Sequence, residues 1–232
     1  MTPIVFAPGL LCDDRLWRDQ SVALGDLAPS SIADVTLDDS VAGMAARLLA
    51  KAPPRFTLVA LSMGGYVAFE VLRQAADRVH ALALFDTSAA PDTPRRAAER
   101  QAGLRSLAAG RFLGVSKRLL PRLVDARHVD GPVGQEVAAM AQRVGADAFV
   151  RQQTAILNRP DSRPLLSSIS VPTLVAVGDS DVVTPPQDSV DIFRGVQTPS
   201  FHLFHRCGHL PAIELPAETT DLLRRWLTET VG

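Results

Sequence analysis

Short apolar runs and amphipathic stretches alternate along the first third of the chain. Residues 3–7 form an apolar run that ends at Pro8-Gly9, which predicts a buried strand followed by a turn. Residues 56–61 are apolar without interruption, as in a parallel strand that is buried on both faces. The predicted strands of this part are residues 3–7, 32–37, 56–61 and 79–85, and the predicted helices lie between Ser40 and Pro53 and over residues 63–76. This alternation favours a parallel sheet with helices on both faces.

The alternation stops between about residues 91 and 166. This stretch is rich in Arg and Ala and has helical spacing, but none of its segments has a strand pattern. It predicts three or four helices inserted as a lid. The alternation then returns, with predicted strands at residues 172–178 and 200–204 and predicted helices at 186–193 and 216–227. We therefore expect an α/β core domain, residues 1–90 and 167–232, and an inserted helical lid, residues 91–166.

Composition and charge exclude several classes of protein. The 232 residues are 47% hydrophobic and 21% charged, and the formal net charge is −1 with acidic and basic residues interspersed. This balance is typical of a globular protein and indicates neither nucleic acid nor a membrane as a partner. No apolar run is long enough to span a bilayer, and the N-terminus lacks the pattern of a secretory signal. Cys12 and Cys207 lack the spacing of a zinc site or a disulfide framework, so we expect a cytoplasmic protein with free thiols and no metal or organic cofactor.

The segment Ala60-Leu61-Ser62-Met63-Gly64-Gly65 lies between a predicted strand and a predicted helix. A serine on such a turn projects its hydroxyl into a cleft, and small residues two positions before and after it let the strand and the helix approach. Ala60 and Gly64 are these small residues. The helix that begins after Ser62 also directs unpaired N–H groups toward developing negative charge. We therefore predict that Ser62 is a nucleophile; the alternative is a Ser-Gly-Gly turn that only caps the helix.

Three further segments occur in a definite order, each after a predicted strand. They are Pro8-Gly9-Leu10-Leu11, Gly178-Asp179-Ser180-Asp181 with Pro185, and Cys207-Gly208-His209-Leu210. Together with the serine turn they resemble the α/β-hydrolase family, and in particular its small esterases, lactonases and C–C-bond hydrolases, over essentially the whole chain. The resemblance implies an oxyanion hole made by the N–H groups of Leu10 and Met63, although Pro8 replaces the usual histidine. Because the chain begins immediately before the first of these strands, we expect about six strands instead of the family's eight.

The acid of such a site must hold the imidazole in the correct tautomer and stabilise the imidazolium. In the family pattern, Asp follows Gly by three residues and Pro follows Asp by four, which selects Asp181 over Asp179. The alternative role for Asp179 is that of a turn residue. Asp86 also lies at a strand end, where some relatives carry their acid, so it stays an alternative to Asp181.

Five histidines compete for the role of general base. A histidine can take the serine proton and return it to the leaving group. The segment Gly208-His209-Leu210 resembles the family's histidine loop after the last strand, which selects His209. The others are interpreted as single surface or core histidines: His80, His128, His202 and His205. The order Ser62, Asp181, His209 is the one expected of this fold.

The resemblance implies a serine hydrolase that cleaves a small carboxylic ester or lactone through an acyl-enzyme on Ser62. Thioesters and the C–C bonds of vinylogous diketones stay open as substrates, because the same groups serve them. The rivals from other classes are a lyase that uses the triad for acid–base chemistry alone and a ligand-binding receptor on this fold. The candidate substrate-binding residues lie around the triad and on one face of a lid helix: Leu11, Phe149, Gln152, Ile156, Val182 and Leu210. Gln153 fits the same helical face by its spacing. The arginines of the insert, with Arg111 and Arg118 among them, form either an anion-binding entrance or a solvated helix face.

Overall fold

A computed structural model describes residues 1–108, 114–116 and 119–231 of the chain. The strands that it contains are β1 (Ile4–Ala7), β2 (Ser30–Ile32), β3 (Phe56–Leu61), β4 (Val79–Phe85), β5 (Thr173–Gly178) and β6 (Pro199–Phe204). They form one sheet in the order β2-β1-β3-β4-β5-β6, and every neighbouring pair is parallel. The expected parallel sheet of about six strands is confirmed.

Helices connect the strands and also form the insert between β4 and β5. The helices of the core are α1 (Arg18–Ala23), α2 (Val41–Lys51), α3 (Met63–Ala75), α7 (Pro186–Gly195), α8 (Pro211–Glu214) and α9 (Pro216–Trp226). Those of the insert are α4 (Pro94–Ala108), α5 (Leu120–Leu123) and α6 (Pro132–Leu157). Single-turn 3₁₀ segments lie at Asp14–Leu16, Ala76–Arg78 and Ala126–His128, a longer one lies at Arg163–Ser168, and Leu227–Val231 is a π-turn. In the part of the chain just given, no helix combines the length and the apolar character that crossing a membrane requires.

The two faces of the sheet carry separate apolar cores. Helices α2, α3 and α7 cover one face, where Met44 and Ile192 are fully buried. Helices α1 and α9 cover the other, where the Trp17 ring lies 5.2 Å from Phe6 and 5.4 Å from Phe85, centroid to centroid. Because β3 and β5 are buried along their whole length, their uninterrupted apolar sequence is explained by packing on both sides.

The strand expected at residues 32–37 is shorter and lies earlier, at Ser30–Ile32. Asp34 explains where it ends, because its side chain accepts hydrogen bonds from the Thr36 N–H at 3.0 Å and from the Thr36 hydroxyl at 2.6 Å. This local turn takes the backbone out of the hydrogen-bonding pattern of the sheet. The segment after the turn is instead attached to α6, since Gln152 Nε2 donates to Val35 O at 3.2 Å.

The carboxyl ends of the six parallel strands lie at one edge of the sheet, and the chain's polar turn residues gather there. This edge carries the loop after β1, Ser62 after β3, Asp86 after β4, Asp181 after β5 and His209 after β6. Ligand sites of open parallel sheets lie at this edge. The topology therefore brings together residues that are far apart in sequence.

Candidate active site

Ser62 joins β3 to α3 in a strained backbone conformation. Its φ is 55° and its ψ is −116°, a region that residues other than glycine rarely adopt. Close packing explains the conformation: a Cβ atom at Gly64 would clash with Ala7 O, so only glycine lets α3 begin this near to the end of β1. The Thr87 hydroxyl donates a 2.8 Å hydrogen bond to Ser62 O and fixes the strained peptide. The turn thus holds the Ser62 hydroxyl at the carboxyl edge of the sheet.

His209 makes a hydrogen bond with each of its ring nitrogens. Its Nε2 lies 2.8 Å from Ser62 Oγ, and its Nδ1 lies 2.8 Å from Asp181 Oδ2. All three side chains are buried. Because a carboxylate only accepts hydrogen bonds, Nδ1 carries the proton and Nε2 accepts from the Ser62 hydroxyl. This arrangement can move the serine proton to Nε2 while Asp181 stabilises the imidazolium.

Asp181 is held by several donors. Its Oδ1 accepts from the N–H groups of Val183 at 2.7 Å and Thr184 at 3.2 Å, and its Oδ2 accepts from the Thr184 hydroxyl at 2.8 Å. Burial by itself would raise the pKa of Asp181, but its contact with the His209 ring, together with these donors, holds that pKa below its ordinary value. Asp181 is therefore an ionised carboxylate beside the imidazole.

Asp86, at the alternative acid position, has a different environment. It is fully buried with φ 44°, and the Gly178 N–H donates to its Oδ1 at 2.9 Å. Its Oδ2 has no hydrogen-bond partner among the residues that the structure describes. Burial, and after it the negative charge of Asp181, raise the pKa of Asp86 well above its ordinary value. The raised pKa favours the protonated form of Asp86, and the oxygen that His209 Nδ1 contacts belongs to Asp181.

The other acidic and imidazole candidates lie outside this arrangement. Asp179 accepts from the N–H groups of Arg206 at 3.0 Å and Cys207 at 3.3 Å, so it stabilises the turn after β6. His205 is largely exposed, 3.5 Å from Asp179, and His202 pairs with Glu218 at 3.3 Å. His128 is hydrogen-bonded to its neighbour Arg127, and His80 lies near the start of β4. Among the histidines, the structure brings His209 to Ser62.

Glu214 of α8 supports the turn that carries His209. Its carboxylate accepts from the N–H groups of the residues before and after His209, at 3.1 and 3.0 Å, and from the N–H of Asp125 at 2.7 Å. The N–H of His209 itself donates to Leu123 O at 3.0 Å. The imidazole turn is therefore attached to the insert. A lone carboxylate in the apolar segment 210–215 is the signal in the sequence that indicates Glu214 as a buried acceptor.

The loop after β1 forms a tight turn. The N–H of Cys12 donates to Gly9 O at 3.2 Å, which closes the turn around Leu10 and Leu11. Leu11 has φ 58°, a left-handed value that is costly for a leucine. Its N–H donates to Gln152 Oε1 at 3.0 Å. Gln152 thereby holds the inner side of this turn.

Two backbone donors next to Ser62 are unused. Met63 is the first residue of α3, so its N–H has no partner within the helix. Within the described ranges, neither this N–H nor that of Leu10 makes a hydrogen bond. Met63 follows Ser62 directly in the chain, and Leu10 lines the same cavity as Ser62. Their N–H groups can serve an oxygen that develops negative charge.

A cavity of about 350 Å³ opens at Ser62 and His209. Most of the described residues around it are apolar. The core domain supplies Leu10, Leu11, Cys12, Leu61, Tyr66, Val183 and Leu210, and the insert supplies Val115, Leu119, Leu123, Val137, Phe149 and Ile156. The cavity thus lies between the edge of the sheet and the insert, and it suits an apolar group attached to the reacting carbonyl.

Two of the six expected substrate-binding residues do not line the cavity. Leu11, Phe149, Ile156 and Leu210 line it, whereas Gln152 and Val182 do not. Gln152 is fully buried, with its amide hydrogen-bonded to the backbone of Leu11 and Val35, and the neighbouring Gln153 faces the cavity. Val182 is 54% exposed, and Val183 takes the cavity side. Val183 thus takes the place expected of Val182, whereas Gln153 belongs to the helical face that the spacing predicts.

Among the described residues, each of the three arginines that line the cavity forms an ion pair with a carboxylate. The pairs are Arg96 with Asp188 at 3.3 Å, Arg100 with Asp92 at 2.7 Å, and Arg122 with Glu99 at 3.8 Å. Arg111 and Arg118 lie outside the described residues. These three arginines therefore attach the insert to itself and to α7, each beside a carboxylate.

The described site fits a metal ion poorly. Asp86, Asp181 and His209 bring one potential ligand atom each within 4.8 Å of one another. However, His209 Nδ1 and Asp181 Oδ2 lie 2.8 Å apart and are hydrogen-bonded to each other, so these two atoms are not free to bind a shared ion. Both cysteines are buried, and burial raises the pKa of the Cys12 thiol to about 12, which excludes a reactive thiolate there.

Comparisons of sequence give one family and a set of related enzymes. The family model described as “Alpha/beta hydrolase family” matches residues 4–222. A pimeloyl-[acyl-carrier protein] methyl ester esterase of Neisseria meningitidis serogroup C is 27% identical over 183 residues, which are 73% of this chain and 68% of that protein. The serogroup A protein of the same name is 26% identical over 179 residues, 73% of this chain and 56% of that protein.

Comparisons of structure agree with this result. A thermophilic esterase from Thermogutta terrifontis has a TM-score of 0.89 and 27% identity, with 100% of this chain and 91% of that chain covered. An enol-lactonase from Burkholderia xenovorans LB400 has a TM-score of 0.82 and 21% identity, with 98% and 92% covered. At the latter identity the likeness shows a shared fold.

Proposed function

Since the chain belongs to the alpha/beta hydrolase family, we propose that it hydrolyses a small carboxylic ester or lactone through an acyl-enzyme on Ser62. The observation that carries the proposal is the buried chain of contacts from Ser62 Oγ to His209 Nε2 and from His209 Nδ1 to Asp181, each 2.8 Å long. A serine with a purely structural role does not need this chain of contacts. Ser62 and His209 also line an apolar cavity that a substrate can enter. The proposal assigns Ser62 as nucleophile, His209 as general base and acid, and Asp181 as the orienting carboxylate.

The proposed reaction has two halves. In the first, Ser62 Oγ attacks the substrate carbonyl while its proton moves to His209 Nε2, and the N–H groups of Leu10 and Met63 stabilise the oxyanion. His209 then gives the proton to the departing alkoxide, so that an alcohol leaves and an acyl-serine ester remains. In the second half, His209 takes a proton from water, and the hydroxide equivalent attacks the acyl group. Collapse returns the proton to Ser62 Oγ and releases the carboxylic acid.

Esters come first among the candidate substrates because of the relatives. The Neisseria proteins carry the name of a methyl ester esterase, and the Thermogutta and Burkholderia structures are described as an esterase and an enol-lactonase. The cavity supports an apolar group on the carbonyl, since most of the described residues around it are apolar. In this proposal the insert, residues 91–166, is a lid that determines which group fits.

A substrate panel tests the proposal. It contains methyl and p-nitrophenyl esters of short and medium acyl chains, lactones and acyl thioesters, with release of the acid measured as the product. We expect hydrolysis of one of the oxygen esters or lactones, and a loss of at least about a thousandfold in kcat for Ser62→Ala. Ser189→Ala is the matched control, because Ser189 is also buried but lies on α7 and does not line the cavity.

A covalent label provides a second measurement. A fluorophosphonate should add one phosphonyl group to Ser62 in the native protein and none in Ser62→Ala, as mass spectrometry of the peptides would show. Preference for thioesters would change the substrate class but keep the mechanism. Cleavage without release of an acid, or near-native activity in a folded Ser62→Ala protein, would overturn the proposal.

A further inference from the structure

Gln152 of α6 is a fully buried polar side chain that does not line the cavity. It connects two segments that are distant in sequence: Leu11 N–H donates to its Oε1 at 3.0 Å, and its Nε2 donates to Val35 O at 3.2 Å. Only one orientation of the amide satisfies both contacts. Rotation by 180° would place the amide NH₂ group against the Leu11 N–H and the amide oxygen against Val35 O. Gln152 is thus fixed in a single orientation between α6 and the core domain.

The contact with Leu11 stabilises a backbone conformation that leucine disfavours. A leucine at φ 58° lies in the left-handed region, which costs about 1–2 kcal/mol. A turn closed between its first and fourth residues leaves two inner N–H groups, here those of Leu10 and Leu11. Gln152 occupies the second of these, so its contact determines how the peptide between the two leucines is oriented. The first is the donor that the proposed oxyanion hole uses.

We propose that Gln152 is a positioning residue that holds the loop after β1 so that Leu10 N–H points at the substrate oxyanion; this inference rests on the proposed function. It acts through Leu11 and touches no substrate atom. An oxyanion donor is effective only when it is fixed in place before the charge develops. Gln152 provides that fixation from α6, a helix of the proposed lid.

The same connection links the cavity to the oxyanion loop. Ile156 lines the cavity one turn after Gln152 on α6, and Phe149 lies about one turn before it. A substrate group packed against α6 therefore presses on the helix that carries Gln152. Correct filling of the cavity and correct orientation of the Leu10 N–H are thus coupled through one side chain.

The primary test is Gln152→Met, which keeps an unbranched side chain of similar length and removes both polar contacts. We expect kcat for the best ester of the panel to fall about thirtyfold, less than complete removal of an oxyanion donor, with KM changed by less than about threefold. Gln20→Met is the matched control. Gln20 is also fully buried and bonded to backbone, at Ala212 O and Pro216 O, so its loss should lower stability but leave kcat within about threefold.

A second variant separates the two contacts. Gln152→Glu keeps an oxygen toward the Leu11 N–H and replaces the amide donor that faces Val35 O by a carboxyl group, so it should retain more of kcat than Gln152→Met. Equal losses in the two variants would assign the effect to Val35 and would overturn the inference. It would also be overturned by a kcat near the native value in Gln152→Met, or by an equal loss in Gln20→Met.

Amide hydrogen exchange tests whether Gln152 holds the loop after β1, and it does not require an activity assay. In the native protein we expect the Leu11 N–H to be protected, and in Gln152→Met to exchange at least about tenfold faster while Gln20→Met leaves it unchanged. If the panel and the phosphonate label fail with the native protein, the proposed function fails and the catalytic role falls with it. If they succeed and Leu11 exchange does not respond to Gln152→Met, this inference alone is wrong.

Discussion

Asp86 and Asp181 lie at the ends of two neighbouring strands, and a carboxylate oxygen of each falls within 4.8 Å of the other and of a His209 ring nitrogen. Two carboxylates this close and this buried do not both ionise. Asp181 has the N–H and hydroxyl donors of the loop after β5, whereas Asp86 accepts from Gly178 alone among the described donors. The pair therefore carries one negative charge, and that charge is on Asp181.

The first prediction separates the two carboxyl groups by activity. Asp181→Asn should lower kcat by about 10³- to 10⁴-fold, because an amide cannot stabilise the imidazolium or fix its tautomer. Asp86→Asn should leave kcat within about threefold, since a neutral amide replaces a group that is already neutral and still accepts from the Gly178 N–H. Steady-state kinetics on one ester decide the matter. The reverse order of effects would assign the acid to Asp86.

The second prediction concerns stability and pH. The pKa of Asp86 is raised in the folded protein, so its contribution to stability is complete below the unfolded pKa, about 3.9, and is lost as pH rises toward the folded pKa. An asparagine at position 86 is neutral in the folded and the unfolded state, so it adds no such pH dependence to the free energy of unfolding. The gain in unfolding free energy of Asp86→Asn over the native protein should therefore grow by up to about 1.4 kcal/mol for each pH unit above the unfolded pKa, until the pH reaches the folded pKa. Urea unfolding at several pH values measures this gain.

Asp179→Asn is the control with the opposite sign. The pKa of Asp179 is lowered: burial acts against this, but the N–H groups of Arg206 and Cys207 and the Ser180 hydroxyl outweigh it. Its contribution is thus present above the ordinary pKa and is lost only as pH falls through the folded value. Its effect should stay constant between about pH 5 and pH 7. If the gain of Asp86→Asn is equally constant, Asp86 is not protonated in the folded protein.

The sequence predicted those features that local chemistry determines. Apolar runs and turn residues located five of the six strands to within a residue or two, and parallel topology then placed Ser62, Asp181 and His209 at one edge. The second strand was misplaced because the side chain of Asp34, and not the apolar pattern, ends it.

Other features depend on how elements are rotated against each other. Helical spacing put Phe149, Gln152, Gln153 and Ile156 on one face of α6, but Gln152 alone of these four turns toward Leu11 and does not line the cavity. The choice between Val182 and Val183 likewise depends on the path of one loop. The local pattern of a single sequence does not determine the rotation of a helix or the path of a loop, because both are fixed by contacts with distant segments.

The third prediction concerns Glu214. Glu214→Ala leaves the N–H groups that flank His209, and that of Asp125, without their acceptor, so it should lower the unfolding free energy by at least about 2 kcal/mol and also lower kcat. Glu214→Gln should not rescue it fully, because either orientation of the amide presents its NH₂ group to an N–H donor. Thermal unfolding measures the stability, and steady-state kinetics measure kcat.

The control is Glu218→Gln, since Glu218 is an exposed partner of His202. This change should alter stability by less than about 0.5 kcal/mol. A Glu214→Ala protein as stable as this control would contradict the supporting role of Glu214.

The last prediction uses the cavity wall to test whether the insert selects the substrate. Ile156 is buried and lines the cavity from α6, so Ile156→Ala enlarges the cavity next to the proposed nucleophile. The ratio of kcat/KM for a longer acyl chain to that for a shorter one should then rise about tenfold, as expected when a few methylene groups are accommodated. Ile192→Ala removes the same atoms from α7, where the side chain is fully buried and does not line the cavity. Both variants should lose about 2–5 kcal/mol of stability, which separates a general effect of truncation from a change in selectivity. If both shift the chain-length preference equally, or neither does, the insert does not determine which substrate fits, and selection must come from the residues around Ser62 itself.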